Sequence, residues 1–118
     1  MEKRYYNEEP KQYETIRSVG IMTTVVRFNI AECTDEEHEG QWECEETEIP
    51  HKEPLQPSDY GYVVASLVRA KYSSDSVEAI TQNYIASKTA EHKREWTELQ
   101  QWREDVKVLA KQILDMVE

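Results

Sequence analysis

Two cysteines and two histidines are the residues of this chain whose types best suit metal chemistry. Cys33, His38, Cys44 and His51 supply the thiolate and imidazole groups that bind Zn²⁺. Their spacing is Cys-x4-His-x5-Cys-x6-His, whereas paired ligands of structural zinc sites lie about two to four residues apart. We therefore predict two reduced thiols and two exposed histidines without a metal, with a Cys33–Cys44 disulfide forming only under oxidation.

The carboxylates are concentrated in one stretch. Between Glu32 and Glu48 there are nine acids and no Lys or Arg, whereas the other 101 residues carry 14 bases and 15 acids. Such a stretch either attracts a cationic partner or keeps a surface soluble and monomeric. It lacks the alternating ligands and central glycine of a calcium loop, so we predict no bound cation. The candidate acidic surface comprises Glu36, Glu37, Glu39, Glu43, Glu45 and Glu46.

No motif in the chain predicts catalysis. Its three glycines form neither a phosphate-binding loop nor a nucleophile elbow. Glu91, Glu95 and Glu98 fall on one face of a predicted helix, but the neighbouring Lys93 and Arg94 favour ion pairing. Acid–base catalysis would instead need a desolvated cleft that shifts a pKa. We therefore predict that the protein is not an enzyme and uses no cofactor.

Charge and composition narrow the classes of partner and compartment. A formal net charge of −10 argues against direct binding to a nucleic-acid backbone, which needs a basic face. No apolar run approaches the length of a membrane span, and the first residues lack the apolar centre of a signal peptide. The expectation is a cytoplasmic protein that does not contact membranes.

The first part of the chain, residues 1–53, is predicted to be rich in strands. The first fifteen residues read as an arm that packs through Tyr5, Tyr6 and Tyr13. Residues 15–34 are rich in β-branched side chains, and toward their end apolar and polar residues alternate, with Arg27 on the polar face.

A β-hairpin is predicted to carry the acidic stretch. A turn over Asp35–Gly40 would join the strand before it to a second strand over Gln41–Ile49. The register that we expect places Cys33 opposite Cys44 and Phe28 opposite Ile49.

The second part, residues 58–118, is predicted to be helical, because three prolines mark the switch. A first helix would run from Ser58 or Asp59 to Tyr72, and a second short helix would follow a cap at Ser73–Asp75. Their predicted apolar faces are Tyr60, Val64, Leu67 and Val68 in the first, and Val77, Ile80, Tyr84 and Ile85 in the second.

A long amphipathic helix is predicted from about Thr89 to Glu118, which contains no Pro or Gly. Leu99, Val106 and Ile113 recur every seven residues, and Trp102, Leu109 and Met116 recur at the complementary position. A helix of this length has more apolar stripe than a small domain needs for its core. The partner-binding candidates are Trp96, Leu99, Trp102, Val106, Leu109 and Ile113.

Several short segments carry a resemblance to other proteins. They are Asn7–Pro10, Thr15–Gly20, Asp59–Gly61, Leu67–Arg69, Lys71–Ser73, Glu78–Ile80 and Trp102–Arg103. Together they resemble small uncharacterised proteins carried by prophage-like elements of gut anaerobic bacteria. The Trp-x-x-Leu-x-x-Trp-Arg run at residues 96–103 is also similar to the C-terminal helix of tail-fibre assembly chaperones. The resemblance implies a role in phage structure or assembly and supplies no catalytic residue.

These observations predict one α+β domain over residues 1–118: an antiparallel hairpin or small sheet, two short helices and a long C-terminal helix. The function we expect is a non-enzymatic interaction or assembly-accessory protein of a phage-like element. It would bind a phage structural protein, a host protein or a second copy of itself through the C-terminal helix. The alternative is an acidic charge mimic, which would use the hairpin over residues 32–48 to bind the basic groove of a host nucleic-acid-binding protein.

Overall fold

The chain forms four strands followed by three helices in a computed structural model that describes residues 1–115. The strands are β1 (Glu2–Tyr6), β2 (Tyr13–Ser18), β3 (Ile21–Glu32) and β4 (Trp42–His51). The helices are α1 (Tyr60–Lys71), α2 (Ser74–Ser87) and α3 (Ala90–Ile113). The predicted α+β fold is confirmed.

Two compact units divide the chain. The sheet unit, Met1–Leu55, contains all four strands, and the helical unit, Gln56–Glu118, contains the three helices. This division falls within the proline-marked segment of the sequence, which separates the predicted strand-rich and helical parts. The single domain that the sequence predicts stays a prediction.

The sheet is antiparallel, with the strand order β1-β4-β3-β2. Residues 2–6, which the sequence predicts as part of a packed arm, form edge strand β1, in which Tyr5 pairs with Glu43 of β4. Aromatic residues such as Tyr5 and Tyr6 favour strands, which gives the segment its local preference. The β-branched region that follows is two strands, β2 and β3, joined by a turn in which Gly20 adopts a φ of +78°.

The hairpin of β3 and β4 carries the acidic stretch, as predicted. Its connection contains one 3-10 turn at Glu36–His38, and Gly40 adopts a φ of +81°. The predicted register was wrong, because Phe28 pairs with Glu45 and Thr24 pairs with Ile49. The observed register continues the ladder to Cys33, whose N–H donates to the Gln41 carbonyl at 2.9 Å, and so leaves a shorter loop.

A β-bulge interrupts β3 near its middle. Phe28 pairs with Glu45 and Ala31 pairs with Glu43, so Asn29 and Ile30 together stand opposite a single residue of β4. Asn29 has a φ of +54°, a left-handed conformation that asparagine tolerates better than most residues. The bulge shifts the register of everything beyond it by one residue.

The three helices begin close to the predicted positions. Asp59 precedes α1, the Ser73 hydroxyl accepts a hydrogen bond from the Ser76 N–H at 3.1 Å, and the Thr89 hydroxyl accepts one from the His92 N–H at 3.2 Å. These side-chain caps satisfy backbone donors that have no partner inside α2 and α3.

The buried faces of α1 and α2 differ in part from the prediction. In α1, Val63 and Leu67 are the buried residues, and Val64 is only half-buried, because the helix presents Val63 inward. In α2 no residue is buried, and Ile85 is 72% exposed although it was predicted to lie on the apolar face.

The long C-terminal helix is confirmed as α3. Its residues Leu99, Val106, Leu109 and Ala110 are buried. The end of the predicted helix, residues 116–118 with Met116 of the seven-residue repeat, lies outside the described residues. None of the helices in the described part of the chain has an apolar stretch long enough to cross a lipid bilayer.

Candidate interaction surfaces

The C-terminal stripe is largely internal. Leu99 and Val106 have no exposed surface and Leu109 is 5% exposed, so the chain's own atoms cover them. These three residues were predicted as partner contacts; in this structure they belong to the core of the helical unit, so contact with a partner would require their exposure. An isolated helix would have left the stripe open, whereas the two preceding helices supply side chains for it to pack against.

The other three residues of the stripe are half-buried. Trp96 stacks on Tyr84 of α2, with ring centroids 4.4 Å apart and an interplanar angle of 12°. The Trp102 indole N–H donates to the Leu67 carbonyl of α1 at 3.1 Å, and the Lys71 ammonium lies 4.9 Å from a Trp102 ring centroid. Ile113 is also half-buried. Both tryptophans therefore join α3 to the neighbouring helices of the helical unit.

The acidic surface is concentrated where β3 passes into β4. Glu36, Glu37 and Glu39 are exposed in this connection, and Glu45 is exposed on β4. Glu45 accepts a hydrogen bond from the Asn29 amide at 3.3 Å. No Lys or Arg of residues 1–115 forms an ion pair with any of the four. We call these four residues the acidic tip.

The other two residues of the predicted acidic surface, Glu43 and Glu46, form ion pairs within the sheet. Glu43 lies 3.1 Å from the Lys3 ammonium of β1 and is half-buried. Glu46 is only 9% exposed, so its prediction as a surface acid was wrong. The Glu46 carboxylate can be buried because a cation on the neighbouring strand forms an ion pair with it.

That cation is Arg27 of β3, which is 4% exposed. Its Nε donates to Glu46 Oε1 at 2.8 Å, and its Nη1 donates to Glu14 Oε2 and to the Lys11 carbonyl, each at 2.9 Å. The alternation of β3 predicted Arg27 on a solvent face, which the structure contradicts. The sequence carried no signal for this pairing, because each contact joins distant segments.

Tyr6 and Arg4 of β1 complete this network, in which Arg27 and Glu46 are buried and Arg4 is exposed. The Tyr6 hydroxyl donates to Glu46 Oε1, and the Arg27 guanidinium lies 4.9 Å from the Tyr6 ring centroid. Arg4 Nε lies 3.6 Å from the second oxygen of Glu46. One charged network therefore involves residues of all four strands of the sheet.

The network shifts the pKa values of its members. Burial disfavours the charged form of Glu46, but hydrogen bonds from Tyr6 and Arg27 outweigh it and hold the pKa of Glu46 below its ordinary value. Burial likewise opposes the charge of Arg27, yet its hydrogen bonds to Glu14 and Glu46 raise the Arg27 pKa further. Both groups are therefore charged at neutral pH. Their contacts join strands of the sheet, so the pair has a structural role.

The four candidate metal-ligand residues, Cys33, His38, Cys44 and His51, do not group together among the described residues. Cys33 and Cys44 are free thiols, and burial is the main cause that raises the pKa of each. The His51 Nδ1 lies 2.7 Å from the Glu53 carbonyl oxygen, and its Nε2 lies 2.8 Å from the Thr24 hydroxyl.

His38 takes part in the connection between β3 and β4. Its Nδ1 lies 2.7 Å from Asp35 Oδ2, and its ring stacks on Tyr5 with centroids 3.7 Å apart. Within residues 1–115, the ligand atoms that group together are those of Asp35, Glu37 and His38, all within 4.8 Å of one another. The Asp35–His38 hydrogen bond also lowers the pKa of Asp35. These contacts fix the connection against β1 and orient the acidic tip.

Comparison of the chain with family models, with curated proteins and with solved structures found no match.

Proposed function

We propose that this protein is a non-enzymatic interaction protein whose acidic tip binds a cationic surface of a protein partner. The observation that carries the proposal is the state of the four tip carboxylates. Glu36, Glu37, Glu39 and Glu45 are exposed and have no ion-pairing base within the described residues, whereas Glu43 and Glu46 are paired internally. Three of these four unpaired carboxylates lie in the connection between β3 and β4, and the fourth lies on β4, whereas the exposed Glu48 is further along that strand.

The C-terminal helix supports the interaction less well than the tip does. Leu99, Val106 and Leu109 would have to leave the interior before a partner or a second copy could contact them. Such exposure would cost the free energy of burying three large side chains, about 1.5–3 kcal/mol for each. Binding through the tip requires no such rearrangement.

The class of partner follows from the chemistry of the tip. Several exposed carboxylates on one hairpin present negative charge as the phosphates of a nucleic acid do, so a basic groove that binds a nucleic acid is a complementary surface. The resemblance to proteins of prophage-like elements suggests a host nucleic-acid-binding protein as the owner of this groove. Electrostatic contacts of this kind accelerate association and weaken as salt is added.

The connection that carries Glu36, Glu37 and Glu39 is also held in a defined conformation. Cys33 and Gln41, which flank this connection, are joined by a backbone hydrogen bond of 2.9 Å, and the Gln41 N–H donates to the His38 carbonyl at 3.0 Å. The stack of His38 on Tyr5 attaches the connection to β1. A rigid arrangement of charges loses little conformational entropy when it binds.

The experiment compares two variants with the same change in net charge. The tip variant is Glu36→Gln, Glu37→Gln, Glu39→Gln and Glu45→Gln. The control variant is Glu78→Gln, Glu91→Gln, Glu98→Gln and Glu104→Gln, four exposed acids of the helical unit. Immobilised wild-type protein is used to isolate partners from extract of a bacterial host, and the affinity of an isolated partner is then measured for all three proteins over a series of salt concentrations.

The tip variant is expected to bind at least about tenfold more weakly at low salt, whereas the control variant binds as the wild type does. A duplex DNA that occupies the same groove is expected to displace the wild-type protein. Equal weakening of both variants would reduce the interaction to net charge and overturn the proposal. Unchanged binding of the tip variant would contradict the proposal and would indicate that the helices, not the acidic tip, bind the partner.

A further inference from the structure

A cavity of about 310 Å³ lies in the helical unit, far along the chain from the acidic tip. Residues of α1, α2 and α3 all contribute to its lining. Its volume is at the lower end of the range of small-molecule sites, about 300–1,000 Å³. The cavity fits the incomplete packing of α2, which has no buried residue.

Two arginines line this cavity, Arg69 from α1 and Arg103 from α3. No carboxylate of residues 1–115 forms an ion pair with either guanidinium, although the chain has 24 acids and 14 bases. The one hydrogen bond in the described structure that involves either side chain runs from Arg69 Nε to the Ser74 hydroxyl at 3.4 Å. Two guanidiniums with nearly all of their N–H donors unused therefore line one small cavity.

The remaining walls combine apolar and neutral polar groups. Ala65, Val68 and Val77 are half-buried and supply aliphatic surface. Burial, together with the negative charge of Glu98, raises the pKa of Tyr72, so this side chain remains a neutral phenol at physiological pH. Tyr72 thus adds no negative charge to the cavity at this pH.

We propose that this cavity binds a small organic anion, with a carboxylate between Arg69 and Arg103 and a short apolar chain against Val68 and Val77. A guanidinium presents a planar pair of N–H donors that matches the two oxygens of a carboxylate. The aliphatic walls would favour a carboxylate with an apolar chain over a bare inorganic anion, because burial of that chain adds to the affinity.

Ser74 strengthens the electrostatic part of this assignment. It lines the cavity and is the first residue of α2, a helix of 14 residues. The N-terminal end of a helix carries a partial positive charge, which stabilises an anion bound beside it. Asp75 in the same turn and Glu98 oppose this effect, so the two guanidiniums carry most of the attraction.

This site goes beyond the proposed function of the acidic tip and does not depend on it. The test is a titration of the ¹⁵N-labelled full chain, followed by NMR, with hexanoate as the probe. Hexan-1-ol is the neutral probe of similar shape, and inorganic phosphate is the anion without an apolar chain. The variants are Arg69→Gln, Arg103→Gln and Arg103→Lys, and the control is Arg17→Gln, an exposed arginine of the sheet unit.

Hexanoate is expected to shift the amide signals of the lining residues saturably, and hexan-1-ol and phosphate to bind at least about tenfold more weakly. Each Gln variant is expected to weaken hexanoate about tenfold, the loss of one charge-assisted contact, while Arg17→Gln has no effect. Arg103→Lys should weaken it less than Arg103→Gln, because the charge remains. Circular dichroism and thermal unfolding verify that each variant is folded.

Three results would overturn the assignment. They are the absence of saturable shifts with hexanoate, equal binding of hexan-1-ol, and equal weakening in Arg17→Gln. Phosphate that binds as tightly as hexanoate would likewise contradict the role given to the apolar walls.

Discussion

The sheet unit and the helical unit fill their interiors with different chemistry. The sheet buries Val25, Val26 and Ile49, and with them the ion pair of Arg27 and Glu46. The helical unit buries aliphatic side chains alone among its described residues, Val63, Leu67, Leu99, Val106, Leu109, Ala110 and Leu114. The same chain thus uses charge in one interior and excludes it from the other.

This difference shows why composition misleads in one unit and informs in the other. An acidic stretch looks uniform in the sequence, yet one of its members is the partner of a buried arginine and four others form the acidic tip. A buried ion pair contributes little net stability compared with apolar residues of the same volume, because desolvation offsets the Coulomb attraction. It makes the sheet sensitive to the loss of either partner.

The largest effect is expected when one partner of this pair is removed. Arg27→Met leaves Glu46 buried without its closest cation and removes the partner of Glu14, so it should lower the free energy of unfolding by about 3–5 kcal/mol. The double variant Arg27→Met with Glu46→Met should recover most of that loss, since no buried charge is left unpaired. Chemical denaturation of the three proteins measures both values.

Arg17→Met is the control for this comparison, because Arg17 is exposed on β2 and its replacement should change stability by less than about 0.5 kcal/mol. A single variant Arg27→Met that is as stable as the wild type would show that the network tolerates an unpaired acid. The interiors of the two units would then differ in composition, but an unpaired buried charge in the sheet would not lower its stability.

In the helical unit the expected cost is that of a cavity. Leu99→Ala removes a side chain with no exposed surface and should lower the free energy of unfolding by about 2–5 kcal/mol. Val108→Ala on the same helix removes a side chain that is 57% exposed and should cost less than about 0.5 kcal/mol. Denaturation midpoints of both variants give the comparison. A small effect of Leu99→Ala would mean that the stripe is not core, and would restore it as a surface for partners.

The sequence predicted the helices better than the pairing of strands, for a physical reason. The spacing of Leu99, Val106 and Leu109 places them on one face of a helix through local geometry alone. What covers that face depends on other helices, so the spacing could not distinguish core from partner contact. The exposed tip was predictable because a turn with consecutive acids cannot be buried without compensation.

The structure of the sheet unit was harder to predict, because it depends on strand pairing that no local sequence pattern determines. Arg27 and Glu46 are 19 residues apart, and their pairing requires the register of β3 with β4. The bulge at Asn29 changes the register of the residues that follow it. An asparagine in a strand does not by itself predict a bulge. The cavity between Arg69 and Arg103 was unpredictable for the same reason, because three helices bring its lining together.

The smallest expected effect is the response of the buried pair to acid. The pKa of Glu46 is lower in the folded protein than its ordinary value of 4.5, which describes the unfolded chain. Its contribution to stability is therefore complete above about pH 4.5 and is lost as the pH falls through the lower, folded value. Below that pH, a neutral Glu46 leaves Arg27 charged in the interior. The wild type should consequently lose stability relative to the double variant Arg27→Met with Glu46→Met.

Denaturation of both proteins between about pH 7 and pH 3 measures this effect as the change with pH in the difference between their free energies of unfolding. A difference between the two proteins that stays constant with pH would mean that the Arg27–Glu46 pair does not respond to protonation as a buried pair must. The stability of the sheet unit would then not depend on the charge state of its interior, as is expected for the helical unit.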